Sequence, residues 1–340
     1  MIYIDKDKFT PQPIVSVVII TYNQETYIGE CIESIIQQAV DFPFELIISD
    51  DSSSDRTGKI CLDYQKKYPD KIKVIINDEN LGLIENYCNV LSYCKGKYIA
   101  QVAGDDYWCD INKLSIQKTY LDTNKDVGLV YTNTYLLDNG IFTKDFISYD
   151  VDSFEKHLLH PGYLAPNSWM YRSELSPIKV LDKNVTHYVD ESYAYLLDMF
   201  RISKVAFIPR YMAVYRRCSG SLSNYNSLEH NYKFQKGIFN IKKDYIRKYN
   251  VDDSSLLYDI YTTSYLQLLE NAIIVNDAEF ISECNAYIDS QHIKYQDIEK
   301  LVKKSIGYKK QYQSIYNSKS YKIGKILLNP IKIIRQFLIK

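Results

Sequence analysis

Most familiar signatures of chemistry are missing from this chain of 340 residues. There is no GxxxxGKS/T loop and no GxGxxG, which argues against a P-loop NTPase and an NAD enzyme. Neither HExxH nor GxSxG occurs. The five histidines, His157, His160, His187, His230 and His292, are scattered, so a histidine-based metal site is not indicated. The seven cysteines, Cys31, Cys61, Cys88, Cys94, Cys109, Cys218 and Cys284, are odd in number and include no CxxC. That pattern disfavours a disulfide framework or zinc knuckle and fits free thiols in a reducing cytoplasm. No run of 18 apolar residues exists, so no membrane-spanning helix is expected. The start carries Asp5, Lys6, Asp7 and Lys8 without a following apolar run, so no signal peptide is expected. No internal repeat is found.

What is present is ordinary in bulk: 46% hydrophobic and 24% charged residues, enough for one large domain or two ordinary ones. The 33 tyrosines and the excess of lysine over arginine point to no function by themselves. The net charge of -1 argues at first against nucleic acid or an anionic membrane as partner. It is, however, a sum of unlike parts. Residues 303–340 hold ten Lys/Arg and no acid, which leaves 31 basic against 42 acidic groups, or -11, on the rest. An acidic body with a +10 tail hints at a surface partner.

The first half alternates strand-like and helix-like segments. Val15 to Thr21 reads as a buried strand and Glu25 to Gln38 as a helix. Strands follow at Phe44 to Ser49, Lys73 to Ile76 and Lys97 to Val102. Helices are expected from an Asp55 cap to Lys67 and over Leu83 to Cys94. This order predicts an α/β fold with a parallel sheet covered by helices on both faces. Ligands of such sheets bind beyond the carboxyl ends of the strands, where the acidic clusters fall. Later strands are expected at Val127 to Tyr131, Ser168 to Tyr171, Val205 to Ile208 and Met212 to Tyr215. From about 226 to 305 the pattern is helical, with Asp252-Asp253-Ser254 as a start signal.

Four constellations stand out, each with a plain structural alternative. Asp50-Asp51 suits a base edge and a ribose hydroxyl, or an Asx-turn before a helix. Asp105-Asp106, after Gly104, suits a hard divalent cation shared with substrate phosphates, or a turn in which Gly104 supplies positive φ. Asp190-Glu191 suits a general base, or a helix cap. Tyr215 to Ser221, with Arg216 and Arg217, suits a phosphate grip, or a solvated basic loop.

Taken in order, these pieces resemble a family 2 glycosyltransferase with the GT-A fold. Val15 to Asn23 is similar to that family's first strand, Ile35 to Gln38 to its first helix, and Glu45 to Thr57 to its second strand and acidic turn. Asn80-Leu81-Gly82, Asn86 and Lys95 to Ala100 match the approach to the metal motif. Gly104-Asp105-Asp106-Tyr107-Trp108 resembles the bacterial capsule and lipopolysaccharide branch. The resemblance covers roughly residues 14 to 223. It implies a Rossmann-like sheet with a C-terminal helical region, divided as 1–223, 224–305 and a basic tail at 306–340.

The resemblance also implies roles. Ile20 and Tyr22 would contact the nucleotide, Tyr22 by stacking on the base, and Asp50 and Asp51 would bond the base or ribose. Asp105 would reach the ribose and share with Asp106 a divalent cation, Mn²⁺ or Mg²⁺. Trp108, Arg216, Arg217 and Ser221 would line the donor diphosphate. Asp190 would be the general base of an inverting transfer from a nucleotide-sugar, a UDP-sugar, to a glycan or lipid-linked acceptor in surface polysaccharide synthesis. Glu191 is the fallback. Two departures weaken the ligand set: Ala103 stands where an acid is common, and Cys218 where a histidine is common. They motivate the alternative of a non-catalytic nucleotide-sugar or glycan-binding subunit. The basic, apolar segment at 303–340 fits an anionic membrane surface, placing the enzyme in the cytoplasm at the inner membrane face.

Overall fold

A computed structural model describes residues 12–144, 153–159, 164–180, 188–218 and 227–291. The chain forms two compact units, one of residues 1–187 with 191–221, the other of 188–190 with 222–340. Ser221 and the basic tail lie outside the described residues.

The first unit begins as a parallel α/β layer. Strands β1 (Val15–Thr21), β2 (Phe44–Asp50), β3 (Ile72–Ile76) and β4 (Tyr98–Ala103) alternate with helices α1 (Ile28–Ile36), α2 (Thr57–Lys67) and α3 (Leu83–Leu91). They pair in the order β3-β2-β1-β4, all parallel. The strands are apolar on both faces because both are covered. Val17 and Ile19 pack with α1 and α2 residues on one side, and Val18 and Ile47 pack with Val90 and Leu91 of α3 on the other. At the opposite end from the acidic turns, Glu45 and Lys73 form a buried ion pair at 2.9 Å.

The second half is mixed. After a short β5 (Tyr107–Trp108) and α4 (Lys113–Thr123) come β6 (Val127–Asp138), β7 (Ile141–Thr143), α5 (Phe154–Leu159), a 3₁₀ turn at Pro166–Ser168, β8 (Met170–Arg172), α6 (Pro177–Val180), α7 (Glu191–Ile202) and β9 (Lys204–Arg217). The sheet continues β4-β8-β6-β9-β5, with β7 on β6; β8 and β5 run antiparallel to their neighbours. The two strands expected at 205–208 and 212–215 are one. The register with β6 jumps from Ile208 to Tyr211, leaving Pro209 and Arg210 exposed, so the proline makes a bulge and not an end.

The second unit holds α8 (Leu228–Lys248), α9 (Ser254–Ile274) and α10 (Ala278–Ser290) around Tyr232, Phe239, Tyr265, Phe280 and Cys284. Asp253 caps α9 by accepting from the N–H groups of Ser255 and Leu256, as its sequence suggests.

Candidate active site

The strand order 3-2-1-4 reverses direction at β1, so a crevice opens beyond the carboxyl ends of β1, β2 and β4. Three turns meet there. Asn23 after β1 and Ser52 after β2 both adopt left-handed backbone, at φ 52° and 61°. The two turns brace each other: Asn23 N–H donates to Ser53 Oγ, and Ser54 N–H donates to Asn23 Oδ1, both at 2.8 Å. Such backbone is costly and persists where surrounding bonds over-determine it. Tyr22 projects from this junction with 48% of its surface exposed. Ile20 is half-buried, and its carbonyl accepts from Gly104 N–H.

The acids of the second turn face inward. Asp50 is buried and accepts from the hydroxyl and N–H of Ser53; burial raises its carboxyl. Asp51 is 3% exposed and accepts from Asn77 Nδ2, Leu81 N–H and Gly82 N–H, each at 2.9 Å. This carboxylate therefore anchors the loop between β3 and α3, with Asn86 closing the network on Asn77 at 3.0 Å.

The third turn carries Asp105 and Asp106. Gly104 does not sit at positive φ. Glycine is required for another reason: a Cβ there would lie 2.5 Å from Gln24 Oε1 and 2.7 Å from Thr21 Oγ1. Asp106 is buried, with Oδ1 accepting from Arg216 N–H at 2.8 Å and Oδ2 from Asn167 Nδ2 at 2.9 Å. Burial, then the neighbouring Asp105, pushes its carboxyl well above the usual range. Burial also raises Asp105, despite Arg216 and a bond from Gln24. Among the described residues, no lysine or arginine side chain bonds either carboxylate. Arg216 Nε donates instead to the Asp105 carbonyl at 2.8 Å. Two adjacent hard carboxylates, short of countercharge, fit a divalent cation whose other ligands come from a substrate. Among the described residues no cluster of three or more His, Cys, Asp or Glu forms a ready cage.

Arg216 lies 4.6 Å over the Tyr27 ring and 5.4 Å over the Tyr107 ring, with Nη2 2.5 Å from Glu30 Oε2. Arg217 does not join it. Successive side chains on a strand point to opposite faces, and Arg217 pairs with Asp138 at 2.9 Å. Both arginines belong to β9, so the basic loop expected from Tyr215 begins as strand. Trp108, expected beside the diphosphate, is 4% exposed; its indole N–H donates to the Asn167 carbonyl at 2.9 Å. It shapes the site from behind, through the residue that bonds Asp106. Cys218 is half-buried, close enough to Asp105 for that charge, after burial, to raise its thiol.

Glu191 opens α7, close enough to Tyr87 and Cys88 of α3 for its charge to raise both groups, burial being the larger cause in each. Asp190 precedes it and belongs with the second unit. Sequence reasoning missed Asn167, Glu30 and Tyr27. Asn167 is flanked by Pro166 and Ser168, a turn signal that carries no hint of a bond to Asp106.

A family model described as glycosyl transferase family 2 matches residues 16–201. An uncharacterized protein of Mycobacterium bovis is 34% identical over 209 residues, covering 59% of this chain. The match spans 58% of that relative's own length, under two thirds. The fold is similar to TarS residues 1–349 of S. aureus in complex with UDP-GlcNAc: TM-score 0.53, 19% identity, 83% of this chain and 77% of that one. It is also similar to the mannosyltransferase PcManGT of Pyrobaculum calidifontis in complex with GDP-Man and Mn²⁺: TM-score 0.54, 14% identity, 90% of this chain and 83% of that one.

Proposed function

This chain belongs to glycosyl transferase family 2, and on that premise we propose that it moves a sugar from a nucleoside-diphosphate donor, a UDP-sugar, to a hydroxyl of a glycan or lipid-linked acceptor. The observation that carries the reading is the pair of a half-buried Asp105 and a buried Asp106 at the switch point of the sheet, whose carboxylates no lysine or arginine side chain bonds among the described residues. Bound nucleotide-sugars in the similar folds of TarS and PcManGT support the donor class, and Mn²⁺ in the latter supports a cation.

Asp105 and Asp106 would hold Mn²⁺ or Mg²⁺, which supplies Lewis-acid neutralisation of charge on a departing diphosphate. Arg216 Nη1 makes no hydrogen bond among the described residues and offers its N–H groups to a phosphate oxygen. The exposed Tyr22 ring stacks on the base. Asp51, through the loop that it holds, shapes the wall beside it. Asp190 takes the proton from the acceptor hydroxyl as that oxygen attacks the anomeric carbon opposite the leaving group, and a single displacement inverts the configuration. A role in surface polysaccharide assembly, at the inner face of the membrane through residues 303–340, completes the reading. No described helix is long and apolar enough to cross a membrane.

The test is incubation with a panel of UDP-, GDP- and dTDP-sugars and lipid-linked acceptors. UDP release is expected from one UDP-sugar. Release from no donor, with nucleotide still bound, would favour a binding subunit instead.

A further inference from the structure

The Glu30–Arg216 pair is not explained by the roles assigned so far. Arg216 sits beside two poorly compensated carboxylates, and its own backbone N–H already touches one of them. Its guanidinium nevertheless turns elsewhere. Nε donates to the Asp105 carbonyl, Nη2 donates to Glu30 Oε2 at 2.5 Å, and the rings of Tyr27 and Tyr107 lie 4.6 and 5.4 Å from the guanidinium carbon. Glu30 is 54% exposed at the side chain and sits in the first turn of α1, so the core does not demand an acid there. A guanidinium fork prefers a carboxylate, and the Arg216 charge already acts on that of Asp105. Something must outbid that carboxylate, and Glu30 is what the fork bonds.

Resting on the reading of Asp105 and Asp106 as a cation site, we propose that Glu30 is a positioning residue that holds Arg216 off their carboxylates and so keeps them open to a divalent cation. Without Glu30 the fork closes on Asp105. An Arg-paired carboxylate is a poorer metal ligand, because a positive charge already occupies its neighbourhood and its lone pairs. The same hold keeps Nη1 directed away from the protein's own acids.

The test reads metal binding and not turnover: Mn²⁺ titrated into the full chain and followed by electron paramagnetic resonance, without nucleotide and again with saturating UDP. Glu30→Ala should weaken Mn²⁺ binding by about tenfold, the scale on which one opposite charge shifts a neighbouring carboxylate. Glu30→Ala/Arg216→Gln should restore most of the lost affinity, a rescue that a merely structural role for Glu30 does not produce. Unchanged affinity in Glu30→Ala overturns the inference. So does a double variant as weak as Glu30→Ala, because Glu30 then acts through its own field and not through Arg216. Wild-type protein that binds no Mn²⁺ under either condition removes the cation site itself, and the inference with it.

Discussion

The backbone N–H of Arg216 donates to Asp106 Oδ1 at 2.8 Å across 110 residues of sequence, tying the last strand of the sheet to the turn after β4. That bond and the one from Asn167 are the countermeasures to a costly burial. Burial raises the Asp106 carboxyl, so its stabilising contribution is present below the unfolded value near 3.8 and is lost as pH rises through the folded value. In metal-free protein, the thermal midpoint of Asp106→Asn relative to wild type is expected to climb as pH goes from about 4 toward 8. Mn²⁺ should raise the midpoint of wild type and leave that of Asp106→Asn in place. Parallel pH profiles would contradict this.

Asn167 bonds Asp106 and the Val214 carbonyl through Nδ2 and accepts from Thr134 Oγ1, all inside the protein. Asn167→Ala strands these partners. A loss of about 1–3 kcal/mol is expected in chemical denaturation, since buried groups left unbonded cost that much. Donor affinity should fall with it, while Thr134→Val should leave donor affinity nearly intact.

Two glycines separate backbone from side-chain constraint. A Cβ at Gly96 would lie 2.4 Å from Ser16 N and 2.8 Å from Val15 C, both backbone of a central strand. At Gly104 the closest atom is the flexible Gln24 Oε1, at 2.5 Å. Gly96→Ala is therefore expected to yield little soluble protein. Gly104→Ala should fold with a loss of about 1–3 kcal/mol and show weakened Mn²⁺ binding, because Gln24 is displaced from Asp105. Solubility, melting and metal titration of the two variants decide this; a harmless Gly96→Ala would count against the packing described.

Lys113 is fully buried, donates to Gln117 Oε1 at 2.6 Å and lies 4.2 Å over the Trp108 ring. Burial pulls its amine down to about 7. The unfolded chain binds the proton up to about pH 10.5, so stability should rise between about pH 7 and 10.5 as this group's cost is relieved. Lys113→Met is expected to flatten that rise and to be more stable than wild type near neutral pH. The check is urea denaturation at pH 7, 8 and 9; an unchanged slope in the variant would contradict it.

The parallel half of the fold was legible because its information is local: β-branched runs, helical spacing and acidic turns recur in one order. Asp105 and Asp106 could be marked for the same reason. The rest depends on contacts across the chain. The strands expected at Val205 to Ile208 and Met212 to Tyr215 proved one strand with a bulge at Pro209, because the β6 ladder continues past it. Arg216 and Arg217 looked like one basic pair, but the pleat sends them to Glu30 and Asp138 respectively. Trp108 looked like a donor contact, yet its indole N–H is committed to Asn167 in the interior. Asp51 read as a base ligand, and no local pattern announces that Leu81 and Gly82 present their N–H groups to it. The donor sugar and acceptor leave no local pattern at all.

The central claim is that Asp105 and Asp106 hold a divalent cation on a nucleoside diphosphate at the crevice beyond β1 and β4. Its most direct test is a crystal grown with UDP and Mn²⁺, measured for the anomalous signal of manganese. The account predicts one manganese peak bonded to a carboxylate of Asp105 or Asp106 and to the diphosphate, with the uracil against Tyr22. A manganese peak elsewhere, or UDP bound away from these acids, would contradict it.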